Sequence, residues 1–225
     1  MKMQEHGFIT MELIDQKKKV DRASYDQVYK FWQTEWSAAI CDLGLEGLSV
    51  NSSDKFLSAN EIFVLREGRN IAAVALINHL DLNFAAYKDV SYLKAMPDEG
   101  MAFIFNNGLK KIMTSGYNIV SRKYRRAVVG GSLLSVVLPG AAIALFEMRP
   151  EFDLFMGMPL IASGNHRTLT RLGMKDIPGG NITIHNVKAQ FMYITRDAID
   201  FGKYDEGIRS LFHRNALPVP SYVMN

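Results

Sequence analysis

The stretch Val120–Leu134, VSRKYRRAVVGGSLL, decides how this chain is read. A short run of β-formers, Tyr117–Ser121, leads into it, and an apolar segment running to Phe146 leads out. That order predicts a strand, a glycine-bearing turn and a helix beginning near Val129. A helix N-terminus exposes unpaired backbone N–H groups and a partial positive charge. Gly130 and Gly131 let an anion come close to such groups. Arg125 and Arg126 add guanidinium groups, which bind phosphate oxygens two at a time. The spacing therefore predicts a phosphate site built from backbone and two cations.

Outward from that stretch, strands and helices alternate. Gly7–Asp15 reads as a first strand. Ser24 is placed as the cap of a helix carrying Val28, Phe31, Trp32, Trp36 and Ala39 on one face. Residues 42–59 hold loop chemistry and room for a short helix. Glu61–Arg66 and Ile71–Leu80, joined by Glu67-Gly68-Arg69-Asn70, predict an antiparallel hairpin. Pro97-Asp98-Glu99 starts a helix predicted to reach Met113, with Phe103, Ile104, Phe105, Leu109 and Ile112 on its apolar face. That face reads as core, or as the wall of an acyl tunnel. The helix after Gly131 is expected to bend or break at Pro139-Gly140. Phe152–Met158 reads as a buried strand, and Ser163-Gly164-Asn165 opens a helix ending at Leu172-Gly173. Gly179-Gly180 reads as a turn before a final hairpin, Ile182–Val187 with Gln190–Thr195. An amphipathic stretch around Ile208, Leu211 and Phe212 lies in the C-terminal tail.

Composition bounds the class. The chain has 225 residues, 48% hydrophobic and 22% charged, which suits a single folded domain over 1–225. A net charge of +3 gives no electrostatic reason to expect nucleic acid. Cys41 is the only cysteine, so no internal disulfide exists; it is placed in the core, and a cytoplasmic location is expected. Ala127–Phe146 is twenty residues without a charge, the length of a membrane span. Its glycines, Ser132 and Pro139 argue for a buried turn and helix instead, so no span is expected. The five histidines include no closely spaced pair, and no cysteine cluster exists, so no metal is expected.

On these residues Val120–Leu134 resembles the signature of the GNAT superfamily of N-acyltransferases. That signature is a strand end, a Tyr-Arg pair, then Arg/Gln-x-x-Gly-x-Gly/Ala and an apolar helix. Arg125 falls on its Arg/Gln position and Gly130 on its second small position, while Val128 stands where the first glycine is usual. Leu172-Gly173-Met174 resembles the Leu-Gly-Phe ending of the family's last helix. The hairpin over 61–80 resembles its second and third strands. Leu169 stands where the family often carries a general-acid tyrosine. The likeness spans roughly residues 8–195. The long segment Asn83–Gly116 resembles insertions in the acyl-carrier-protein-dependent branch, which includes N-acyl amino acid synthases and acyl-homoserine lactone synthases.

The resemblance implies an α/β fold: a mixed, mostly antiparallel twisted sheet flanked by helices, with a helical insertion at about 83–116 between the third and fourth strands and a tail at about 197–225. It implies acyl transfer from acyl-CoA or an acyl-phosphopantetheine carrier protein to a small-molecule amine. The donor would be held by Val120, Ser121, Arg122, Arg125, Arg126, Val128, Val129, Gly130, Gly131, Ser132 and Asn165. Its pantetheine arm would pass between Val120 and Phe155. An amide near Val120 would polarise the thioester carbonyl. His79 and Asp81, at the end of the third strand, are the candidate base and its partner. A lone histidine on an apolar strand equally suits a hydrogen-bonded structural role. Glu147 and Asp153 are further carboxylates to weigh. Val128 and Leu169 fit an alternative: a GNAT-like binding module without catalysis.

Overall fold

The computed structural model describes residues 9–18, 20–44, 53–184 and 186–214. Gly7 and Phe8 of the expected first strand lie outside them. A seven-stranded sheet forms from β1 (Ile9–Asp15), β2 (Glu61–Glu67), β3 (Asn70–Asp81), β4 (Lys111–Val120), β7 (Leu154–Gly157), β8 (Lys175–Ile184) and β9 (Val187–Ile194). Its spatial order is β1-β2-β3-β4-β7-β9-β8. All neighbours are antiparallel except β4 and β7. Two short strands, β5 (Val128–Val129) and β6 (Ser132–Leu133), pair as a separate hairpin.

The helices are α1 (Arg22–Asp42), α2 (Ser53–Leu57), α3 (Ala85–Lys88), α4 (Ser91–Lys94), α5 (Asp98–Asn106), α6 (Leu134–Glu147), α7 (Asn165–Arg171) and α8 (Asp205–Arg214). The central strands are buried on both faces, and their alternation sorts side chains between layers. Phe63, Leu65, Ala73, Ala75 and Ile77 face α6 and α8. Ile62, Val64, Val74 and Leu76 face Val28 and Trp32 of α1. The insertion covers the far end: Leu93, Met96 and Ile104 pack with Ile112, Ile177 and Phe191. The apolar face of α5 is thus largely core, although Phe105 is exposed.

Several expectations are corrected. The cap of α1 is Asp21, whose carboxylate accepts from the Ser24 N–H at 2.9 Å. Helix α5 stops at Asn106, because Asn107 and Gly108, the latter at φ 68°, turn the chain out. Of the apolar residues beyond it, Leu109 lies in the connection and Ile112 belongs to β4, which starts at Lys111, six residues earlier than the expected Tyr117. Gly179-Gly180 is a bulge inside β8, where the register with β9 shifts between Asp176 and Asn181. Cys41 is exposed. Helix α6 begins at Leu134, not Val129, and runs unbroken through Pro139. Pro139 is its sixth residue, so the missing N–H frees only the Ser135 carbonyl in the first turn. Among the described residues no helix is long and apolar enough to cross a membrane.

The end of α6 is closed by a residue the sequence did not single out. Arg196 Nη1 donates to the carbonyls of Phe146 (2.9 Å) and Glu147 (2.6 Å). Its Nη2 donates to those of Arg149 (2.8 Å) and Phe152 (2.9 Å). The guanidinium also stacks 4.9 Å over the Phe146 ring. One cation thereby ties the last carbonyls of the helix to those of the loop leading to β7; two of them, of Phe146 and Arg149, also accept from backbone amides.

Candidate functional site

β4 and β7 are parallel neighbours for only three residues, Ile112–Thr114 against Leu154–Met156. Beyond them the strands part. β7 ends at Gly157, and the chain leaves through Pro159 to a bridge between Leu160 and Ala189. The gap is a cleft of about 430 Å³. One wall is Ser115–Val120, the other Gly157–Leu160. Trp36 and Ala39 of α1 and Leu43, just past its end, close one face, and Ser135, Leu138 and Pro139 of α6 the other. Arg125, Ser163, Asn165, Thr168 and Leu169 complete it.

The edge of β4 inside the cleft has a defined polarity. The Ser121 N–H donates to Ala72 across the ladder at 2.9 Å, and Val120 stands opposite Ala73. In an antiparallel ladder this makes Val120 and Ala73 a non-hydrogen-bonded pair. The Val120 N–H and C=O therefore point away from β3, towards the side β7 has vacated. A bulge precedes them: Tyr117 and Asn118 together oppose Ala75, and Tyr117 has φ 53°.

The glycines lie elsewhere than expected. Gly130 and Gly131, at φ 51° and 76°, form the tip of the β5–β6 hairpin. Two successive positive φ values are the signature of a tight hairpin turn. That tip packs on α8: a Cβ at Gly130 would lie 2.6 Å from the Gly207 Cα. The expected cradle at these amides is thus corrected, since they do not open the helix and one side is occupied by α8. Val128, Val129 and Ser132 belong to the same hairpin, with Val129 and Ser132 buried.

The helix N-terminus that does face the cleft lies one turn later. The Leu134 N–H donates to the Ala127 carbonyl at 2.9 Å. Its N-cap, Leu133, supplies no side-chain acceptor. The next two amides, of Ser135 and Val136, are the ones a helix leaves uncommitted. Arg125 also lines the cleft, half-exposed, with Nη2 3.4 Å from Asp42 Oδ2. Arg122 holds the other Asp42 oxygen at 2.8 Å and is drawn back onto α1. Hydrogen bonding to Arg122, with the charges of both arginines, lowers the Asp42 pKa against partial desolvation. Ser121 is buried, its hydroxyl donating to Glu35 at 2.9 Å. Arg126 is exposed outside the cleft lining, whereas Asn165 begins α7 at its rim.

His79 and Asp81 do not reach the cleft. His79 lies opposite Met113, at the end where β4 and β7 are still paired. Its Nε2 is 3.1 Å from Arg149 Nη1 and 3.6 Å from Glu61 Oε2, and its ring rests against Phe152. Arg149 and Glu61 make two buried hydrogen bonds of 2.7 and 2.8 Å. Asp81 accepts from the Asn83 backbone at 3.0 Å and side chain at 2.8 Å, fixing a turn. Asp153 likewise accepts from the amides of Lys110 and Lys111, and Glu147 pairs with Arg209. Phe155 is buried beside Phe146 on the α6 face, so Gly157–Leu160 forms the wall that was assigned to it. Among the described lining residues there is no carboxylate and no histidine.

The Glu61 cluster carries a stability prediction. Burial alone would raise the Glu61 pKa, but His79 and Arg149 outweigh it and hold the carboxyl down at about 2. A depressed folded-state pKa gives stability that is complete above the unfolded value and lost as pH falls through the folded one. The fall should therefore run from about pH 4.5 to pH 2 and amount to about 3 kcal/mol. Urea unfolding at pH 7, 4 and 3 checks this: Glu61→Gln should be weaker at pH 7 and lose less on acidification.

No family model and no curated protein matches the sequence. Solved structures do match. An N-acyl amino acid synthase from uncultured soil microbes superposes with a TM-score of 0.55 at 12% identity, covering 91% of this chain and 98% of that one. A CoA-dependent acyl-homoserine lactone synthase, solved with SAM and isopentyl-CoA, gives 0.54 at 13% identity over 94% and 91%. An aminoglycoside acetyltransferase in complex with coenzyme A and kanamycin gives 0.52 at 12% identity over 93% and 100%. At such identities the likeness is one of fold.

Proposed function

From a chain that carries the GNAT fold, we infer an N-acyltransferase that moves an acyl group from a thioester to the amine of a small molecule. The observation that carries this reading is the parting of β4 and β7, which leaves the Val120 amide facing an open cleft. The thioester carbonyl would accept from that N–H, since a fixed amide in a narrow site stabilises the charge that develops on oxygen. The pantetheine arm would lie between Val120 and Gly157–Leu160. Its phosphate end would meet the amides of Ser135 and Val136 and the Arg125 guanidinium, with Asn165 at the rim. Acyl-CoA and an acyl-phosphopantetheine carrier share this chemistry. The isopentyl-CoA and coenzyme A bound in two of the similar structures support a donor of this kind.

The test is a mass-spectrometric assay for amide product and free thiol, using acyl-CoA and acyl-carrier donors of varied length against a panel of amines. Amide formation dependent on the protein is the expected result. A donor that binds by calorimetry yet yields no thiol would favour the second reading, a binding module. The lack of a carboxylate or histidine among the described lining residues, with Leu169 in the wall, is what favours that reading. Arg125→Ala should raise the donor dissociation constant about tenfold, as expected for one half-exposed charge-assisted contact. Titration calorimetry measures it, and unchanged affinity would remove Arg125 from the site.

A further inference from the structure

We propose that the free edge of β8 is a self-association surface, on which a second copy of this chain lays its own β8 antiparallel about a two-fold axis through Ile182. The sheet ends in β9-β8, so one side of β8 has no strand beside it. Which backbone groups β8 presents there follows from β9. The Gln190 N–H donates to the Pro159 carbonyl at 3.3 Å, on the far side of β9. Asn181 and Gln190, which stand opposite one another, are therefore a non-hydrogen-bonded pair. Bonded and non-bonded pairs alternate along an antiparallel ladder. Ile182 is thus bonded to Ala189, and Thr183 is not bonded to Lys188. The N–H and C=O groups of both Asn181 and Thr183 point off the sheet.

Exposed edges of this kind are ordinarily blunted by charge, by proline or by a bulge. The opposite edge, β1, carries Glu12 and Asp15. The first half of β8 carries Lys175, Asp176, Pro178 and the bulge between Asp176 and Asn181. Its second half, Asn-Ile-Thr-Ile over 181–184, has none of these devices, and three of its residues are β-branched. Asn181 and Thr183 are exposed, while Ile182 and Ile184 are half-buried.

The edge is complementary to itself. With Ile182 opposite its own counterpart, Asn181 of each copy falls opposite Thr183 of the other. Each of those two pairs exchanges two N–H···O=C bonds, four in all. The two Ile182 side chains meet in a non-hydrogen-bonded position, where side chains approach most closely. Ile182 already packs on the cluster that holds Leu93, Met96, Ile104 and Phe191. The pairing carries that apolar layer from one copy into the next. It also closes on itself, so each edge is used up and no fibre grows. Pro178 and the bulge limit the pairing on one side, and the turn at Asn186 limits it on the other. So short an interface makes a weak dimer, present at micromolar concentration rather than below it.

Sedimentation equilibrium of the full chain across the micromolar range tests this. The wild-type protein should pass from monomer to dimer. Thr183→Pro removes two of the four bonds and no bond to β9, so it should weaken association about 30-fold at an unchanged thermal midpoint. Two further variants read the register through exposed side chains. Asn181→Lys with Thr183→Lys sets like charges opposite each other in both pairs and should weaken association about tenfold. Asn181→Asp with Thr183→Lys sets opposite charges there and should restore the dimer at low salt. A wild-type protein that stays monomeric throughout would overturn the proposal, as would a dimer that Thr183→Pro and the double lysine variant leave intact. An aspartate–lysine variant as weak as the double lysine variant would overturn the two-fold through Ile182.

Discussion

Val120→Pro should lower kcat by about two to three orders of magnitude while leaving the fold intact, because it deletes one amide from the cleft wall and none from the sheet. The Val120 N–H takes no part in the β3–β4 ladder, since the neighbouring Ser121 N–H is the one bonded to Ala72. Proline is tolerated in a strand where its nitrogen faces no partner. Ile119, which precedes it, is already extended within β4, as a residue before proline prefers. Donor affinity should change only a fewfold, because on the proposed reading Arg125 and the start of α6 would hold the other end. Ser121→Pro is the contrast: it removes a ladder hydrogen bond and should lower the thermal midpoint. Single-turnover acyl transfer and thermal unfolding distinguish the two. A Val120→Pro protein with kcat within about threefold of wild type would move the carbonyl site off this amide.

The second large effect concerns stability. Arg196→Met should destabilise the protein by about 4 kcal/mol, since four hydrogen bonds from one charged group vanish together. For a domain of this size that corresponds to a midpoint about 10 °C lower. Arg196→Lys should recover only part of the loss. An ammonium keeps the charge at the α6 C-terminus but cannot present the planar fork that reaches carbonyls on both sides. Calorimetric unfolding of the three proteins provides the ranking. A lysine variant as stable as wild type would show that charge alone matters there.

What the sequence disclosed was governed by near neighbours. The β2–β3 hairpin was readable because β-formers flank Glu67-Gly68-Arg69-Asn70 on both sides. The opening of α7 at Asn165 and its stop at Leu172-Gly173 were readable for the same local reason. Gly130-Gly131 was misread because one pair of glycines serves a helix opening and a tight hairpin equally well. The choice is made by Gly207, whose lack of a side chain lets α8 press on the hairpin tip. His79 was misjudged for a related reason. Its partners Glu61 and Arg149 come from a different strand and from beyond α6, and nothing beside His79 announces them. Arg125 does line the cleft, and α6 begins beside it at Leu134 rather than at the expected Val129.

Asp42 bears on how the cleft fills. It is an anion from the protein's own chain, seated between Arg122 and Arg125. On the proposed reading, a phosphate arriving at Arg125 would meet a guanidinium already paired with Asp42, so loading would exchange one anion for another. The entrance would thereby not act as an indiscriminate trap for polyanions, and selectivity would shift to ligands long enough to reach Val120 as well.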